Sequence, residues 1–193
     1  MSFLLVNSLS AQEKGFAVGL GFKGGLSQNM EKKNDYSPII LYTPLLSYSF
    51  AGYGVIHFKS KNPDRAALFQ YLRISLSPSS RGGIFNVDGT PTKVSFSTLD
   101  IDLMLPITYR VSNELEFYYG IGGMVSFVTA QTKDTPKASA IFPGALVEMG
   151  ILTTRGSYFA FQVLGNFSDY SMQTYSVTFG MSLSDAKGSR RFK

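Results

Sequence analysis

Large apolar residues alternate with small or polar ones in six segments of this sequence, each of strand length. In the first segment, Phe16, Val18, Leu20 and Phe22 alternate with Ala17, Gly19, Gly21 and Lys23. The others begin near Leu99, Leu115, Val147, Phe159 and Tyr175. Successive side chains of a β-strand point to opposite faces, so each segment has one greasy face and one small or polar face. No segment keeps a helical period, and the pattern predicts an all-β fold.

Eight strands can be placed on this pattern. They lie near 15–27, 46–59, 66–77, 94–109, 114–129, 139–152, 157–168 and 173–184. The connections 28–37, 78–92 and 130–138 are long and polar, whereas Arg110–Asn113 and Thr153–Gly156 are short, and Asn62-Pro63-Asp64 is a turn signal. An even number of strands, with short turns on one rim and longer loops on the other, favours a closed antiparallel up-and-down transmembrane β-barrel.

The charged residues within these strands indicate which face is inside. They fall opposite the continuous apolar face and are Lys23, Arg73, Asp100, Asp102, Glu116 and Glu148. On the lipid face of a barrel, Arg or Lys at the midplane costs about 2–4 kcal/mol, so the apolar face is expected outside. The interior of an eight-stranded barrel is just wide enough for side chains to fill. We therefore expect these six residues to form a structural charge network in a filled lumen. Glu116 is expected near the two aspartates, and inward glycines and serines are expected to leave room for the charged neighbours.

Composition excludes several other classes of protein. The 193 residues suit one domain, and no run approaches the ~18 apolar residues of a transmembrane helix. Cysteine is absent, which excludes disulfides and thiolate chemistry. The net charge is +5, but the cations lie mostly in expected turns and tails, without the basic face that nucleic-acid binding requires.

Candidate chemistry is sparse. Gly19–Gly24 matches a dinucleotide-binding pattern by letter, but the alternation runs through it and no helix follows, so strand glycines are the better interpretation. Asp100 and Asp102 share a face and could bind a cation, although ion pairs with Lys23 and Arg73 are favoured. His57 is the only histidine and has no evident acid partner. We predict no catalytic, cofactor-binding or metal-binding residue, no cofactor, and no enzymatic activity.

Four stretches carry a resemblance to a known family: Ser8–Gln12, Val18–Leu26, Leu99–Arg110 and Tyr119–Gly123. The chain resembles the porin-family or PorT-like outer-membrane β-barrel proteins of Gram-negative bacteria. The resemblance implies a location in the cell outer membrane, contact with its lipids and lipopolysaccharide, and insertion by the barrel-assembly machinery. Barrels of this kind often end on an aromatic residue, whereas here Asp185–Lys193 follow the last strand.

The expected organisation has three parts: a signal peptide at 1–11, truncated at its start and cleaved after Ala11, an outer-membrane barrel at 12–184, and a basic C-terminal tail at 185–193. An N-terminus that is disordered or packs in the core is the alternative to the signal. The expected role is structural, or binding and adhesion through long loops whose ligand is unknown. A narrow channel or transport accessory and a soluble lipocalin-like periplasmic carrier are the alternatives; the carrier would reverse the two faces.

Overall fold

A computed structural model of the chain describes residues 16–29, 44–57, 67–68, 71–112, 114–133, 135–153, 157–168 and 170–183. These residues form nine antiparallel β-strands. Their bounds are β1 (Phe16–Asn29), β2 (Leu45–His57), β3 (Ala67–Leu68), β4 (Tyr71–Val87), β5 (Thr90–Arg110), β6 (Leu115–Gln131), β7 (Ile141–Thr153), β8 (Tyr158–Asn166) and β9 (Met172–Ser182). None of the described residues belongs to a helix long and apolar enough to cross a membrane.

The strands close into a barrel. Around the circumference the order is β1, β2, β4, β5, β6, β7, β8 and β9, and β9 pairs back onto β1. The two-residue strand β3 pairs with the end of β5 that follows the part paired with β4, so β3 and β4 occupy one barrel position. The sheet therefore has eight positions and every strand lies beside its neighbours in sequence, which confirms the predicted closed up-and-down barrel.

The prediction of a long polar loop at 78–92 is wrong. This stretch is a hairpin, in which β4 runs to Val87 and β5 starts at Thr90. Asp88 and Gly89 form its two-residue turn with φ of 49° and 82°, and positive φ at both positions is the type I′ geometry that suits a β-hairpin. Pro78 points outward and lies where paired residues are missing between β2 and β4, because proline has no N–H to donate.

Two rims follow from the topology. At one rim, which we call the short-turn rim, short turns connect β5 to β6 and β7 to β8, and the start of β1 lies beside the end of β9. The opposite, long-loop rim carries the β4–β5 hairpin and the connections 132–140 and 167–171. The Asn62-Pro63-Asp64 turn, the signal at 1–11 and the tail at 185–193 lie outside the described residues.

Side chains alternate between the two faces along each strand. On β8, Phe159 and Phe161 are exposed, whereas Tyr158, Ala160 and Gln162 are buried. The same alternation on β1, β2 and β4 to β9 gives an exterior rich in large apolar side chains and an interior that contains the buried charges. These faces are the reverse of those expected for a soluble lipocalin-like carrier.

Candidate functional site

Three ion pairs among the described residues lie inside the barrel. Lys23 on β1 pairs with Asp102 on β5, across the lumen between strands that are not neighbours. Arg73 on β4 reaches Glu148 on β7 in the same way, with Nη2 2.7 Å from Oε2.

The third pair joins two adjacent strands. Arg81 on β4 contacts Asp100 on β5, and its Nη2 also donates to Ser126 Oγ at 2.7 Å. Ser79 and Ser75 donate hydrogen bonds to Asp100 and Asp102 respectively. Buried charges that are paired and hydrogen-bonded in this way suit a structural role better than a reactive one.

Glu148 is held by three side chains. Besides Arg73, it accepts hydrogen bonds from the Tyr118 hydroxyl and from Gln162 Nε2, the latter at 2.8 Å. The Arg73 guanidinium lies 4.1 Å from the centroid of the Tyr158 ring, in cation–π contact. Side chains from β4, β6, β7 and β8 thus meet at one carboxylate.

The structure brings five of the six expected charged residues into these pairs, although Arg73 pairs with Glu148 and not with an aspartate as expected, and it places the sixth elsewhere. Glu116 is buried, but on β6 it lies opposite Arg110, whereas Asp102 lies opposite Met124. Eight residues of strand separate Glu116 from Met124, about 26 Å, so Glu116 is not near the aspartates as expected.

Arg81 was missed by the sequence analysis because it was assigned to a loop. A signal was present: counting in steps of two from Arg73 passes Ser75, Ser77 and Ser79 and arrives at Arg81. The small inward residues at these steps indicate that the strand containing Arg73 continues to Arg81.

Inward glycines make room for tyrosine rings. A Cβ atom built on Gly19 would lie 2.3 Å from the ring of Tyr53, its cross-strand partner. One built on Gly180 would lie 2.1 Å from the ring of its partner, Tyr158. The expectation that glycines leave room for charged neighbours is thus wrong at these two positions, since the space is filled by aromatic rings.

Buried apolar and aromatic side chains form two clusters in the lumen. Toward the short-turn rim, buried Tyr53, Val55, Tyr118, Leu152 and Tyr158 belong to one cluster. Toward the long-loop rim a second cluster, which we call the aromatic cap, consists of Phe85, Val94, Phe96, Ala138, Phe142, Tyr170 and Met172. The ion pairs adjoin the first cluster, since its Tyr118 donates to Glu148 and its Tyr158 ring contacts Arg73.

The aromatic cap also fastens the long-loop rim together. The ring of Tyr170, in the β8–β9 connection, lies 4.9 Å from that of Phe85 in the β4–β5 hairpin. The Tyr170 hydroxyl donates to the carbonyl of Pro136 in the β6–β7 connection at 2.9 Å. Gln131 fixes that connection further, because its side chain bonds the backbone of Pro136 and Ala138. We call the surface formed by these three connections the outer platform.

The exterior forms a continuous apolar band. On β6 the outward residues from Leu115 to Phe127 are apolar, aromatic or glycine. At about 3.3 Å per residue and a tilt near 45°, this stretch rises about 28 Å, close to the ~25 Å band of outer-membrane barrels. Tyr109 and Tyr119 stack with centroids 6.1 Å apart near the short-turn rim, where aromatic residues commonly meet lipid headgroups.

The other candidate positions do not form a binding or catalytic site among the described residues. Gly19–Gly24 lies within β1, with no helix beside it in the described part of the chain. His57 ends β2, and only its backbone is described. No group of three potential metal ligands occurs in the described ranges.

A closed antiparallel barrel with an apolar exterior and enclosed charges defines a transmembrane β-barrel of the outer-membrane type. No protein-family model matches the chain, and no curated protein matches it. The chain is similar to the crystal structure of Ail, the attachment invasion locus protein of Yersinia pestis, in complex with the heparin analogue sucrose octasulfate, at 12% identity and a TM-score of 0.46 over 86% of this chain and 96% of that one. It is also similar to the crystal structure of Ail, at 10% identity and a TM-score of 0.37 over 86% of this chain and 96% of that one. A third similar structure is the backbone structure of Ail in a phospholipid bilayer nanodisc, at 10% identity and a TM-score of 0.35 over 84% of this chain and 99% of that one.

Proposed function

We propose that the protein is a non-catalytic barrel of the cell outer membrane in a Gram-negative bacterium, and that it binds partners through the outer platform. The apolar band supports the location, because such a surface is stable only against acyl chains. In this proposal residues 1–11 are a signal peptide, residues 12–184 form the barrel and 185–193 form a tail. Membership of the porin-family or PorT-like group is part of the same proposal.

The observation that carries the binding role is the connection of three loops by one side chain. Tyr170 contacts both the β4–β5 hairpin and the β6–β7 connection. Loops that are already ordered lose little conformational entropy when a partner binds. Asn86, Lys93, Lys133 and Lys137 are exposed on this surface and offer hydrogen-bond donors and positive charge.

The lumen charge network has a structural role in this proposal. Lys23–Asp102 and Arg73–Glu148 each join strands on different sides of the barrel, so a slip in register would separate them. Buried ion pairs are better supported as devices for specificity than as sources of stability. The lipids and lipopolysaccharide of the outer membrane, and the barrel-assembly machinery, are the remaining partners.

Adhesion measurements on living cells test the binding role. Cells displaying the wild-type barrel are compared, on an array of immobilised glycans and matrix proteins, with cells displaying a variant in which Asn86, Lys93, Lys133 and Lys137 are all serine. A matched control carries Ser112→Ala and Glu114→Ser at the short-turn rim. We expect selective adhesion that the quadruple variant loses and the control keeps. Absence of adhesion, or adhesion that the quadruple variant retains, would overturn the role.

Conductance separates this proposal from the channel alternative. Two buried clusters and three buried ion pairs fill the described lumen and leave no wide aqueous path through it. In planar bilayers the reconstituted protein should therefore give no stable porin-sized conductance steps. Reproducible steps of that size would favour the narrow channel instead.

A further inference from the structure

A small cavity lies inside the barrel, and Met124 and Leu164 form the apolar part of its wall. Its volume is about 20 Å³. Its wall is mainly polar and includes Lys23, Ser49, Ser79, Arg81, Asp100 and Ser176. The cavity therefore borders both the Lys23–Asp102 and the Arg81–Asp100 ion pairs.

Polar atoms in this wall have unused hydrogen-bonding capacity. Ser49 Oγ and Arg81 Nε are buried and have no hydrogen-bond partner among the described residues. Ser77 Oγ, on the same inward face of β4 as Arg81, is in the same condition. A buried polar group without a partner costs about 1–3 kcal/mol, and such groups in folded proteins are generally satisfied by protein atoms or ordered water.

We propose that this cavity is a binding site for one ordered water molecule, which accepts a hydrogen bond from Arg81 Nε and is hydrogen-bonded to Ser49 Oγ. A cavity of about 10–15 Å³ is enough for one water, so the volume fits one molecule and not a chain of several. Water both donates and accepts, which matches a guanidinium N–H beside a hydroxyl group.

An anion fits the site less well. The two cations in the wall, Lys23 and Arg81, are already paired with Asp102 and Asp100. A halide would thus enter a site whose charge is balanced, and it would lie beside the Asp100 carboxylate. Water, which is neutral, is therefore favoured over an anion on both grounds.

Rotating-frame nuclear magnetic resonance on the folded protein in micelles tests the site. Dipolar contact between water and the Nε–H of Arg81 gives a cross-peak whose sign differs from that of hydrogen exchange. We expect this cross-peak in the wild type and its loss in Ser49→Val, whose methyl groups occupy the cavity. Ser80→Val, on the outward face of β4, should keep it.

Three results would overturn the proposal. They are no dipolar cross-peak in the folded wild type, a cross-peak unchanged in Ser49→Val, and a shift of the Arg81 Nε–H resonance that saturates with added chloride or bromide, which would identify an anion site. Should Ser49→Val fail to fold, a high-resolution crystal structure of the wild type decides: density for one water within hydrogen-bond distance of Arg81 Nε and Ser49 Oγ supports the site, and its absence refutes it.

Discussion

Replacing Phe161 by arginine places a charge in the apolar band. Phe161 is 46% exposed on the outward face of β8, where Met149 and Val177 flank it in register. A lipid-facing Arg near the bilayer midplane costs about 2–4 kcal/mol. Since about 1.4 kcal/mol is a factor of ten, the folding equilibrium constant should fall by about 30- to 900-fold. In water the same change would remove an exposed apolar group at little cost.

Guanidinium unfolding of the barrel in phospholipid vesicles measures this cost. The chain has no tryptophan, so circular dichroism of the β-sheet is the appropriate signal. Val111→Arg is the matched control, because Val111 is 68% exposed at the short-turn rim, where an arginine costs only about 0–1 kcal/mol. Equal effects of the two substitutions, or a Phe161→Arg variant as stable as the wild type, would refute the assignment of the faces.

Two further substitutions test the packing of the lumen. Glu148→Leu leaves Arg73 as an uncompensated buried charge and should cost about 3–5 kcal/mol in the same unfolding assay. Adding Arg73→Met to this variant should restore most of the lost stability. A double variant as unstable as the single one would contradict this account. Gly180→Ala drives a methyl group into the Tyr158 ring and should lower the yield of heat-modifiable folded barrel on gels. In Gly52→Ala, the control, the added methyl group meets no neighbouring atom, so the yield should not change. Equal yields of the two variants would show that the Tyr158 ring does not need the glycine.

The faces of the barrel could be predicted from sequence because lipid outside and the polar lumen inside each favour different residue types at individual positions. Lipid excludes charge from the outside, and a strand alternates its side chains strictly, so Asp100 and Asp102 had to lie inside once Ile101 lay outside. This reasoning needs no knowledge of which strands pair.

The hairpin at 78–92 was missed because local signals conflicted. Pro78 and the Gly82-Gly83 pair are typical of loops, yet the proline faces outward and the two glycines lie within β4. The Asp88-Gly89 pair was the stronger signal, since an Asp-Gly dipeptide flanked by strands is typical of a type I′ turn. Giving weight to that dipeptide would have extended both strands and found Arg81.

The aromatic cap and the glycine–tyrosine contacts depend on register, which alternation does not specify. Gly19 accommodates Tyr53 only because the two residues are partners across β1 and β2. Likewise Phe85 meets Tyr170 only because the inward face of the β4–β5 hairpin and the β8–β9 connection come together at the long-loop rim. Such contacts join residues far apart in sequence, and single-chain patterns carry no information on them.

Spin-label accessibility along β6 tests most directly whether the greasy face meets lipid. The chain has no cysteine, so single cysteines at Phe117, Ile121 and Val125 can be labelled without background, with Lys133 as the aqueous control. The three outward labels should relax with oxygen, which concentrates in the bilayer, and resist a water-soluble nickel complex, whereas the label at Lys133 should show the opposite. If nickel reached Ile121 as readily as Lys133, the exterior would face water and the transmembrane assignment would fail.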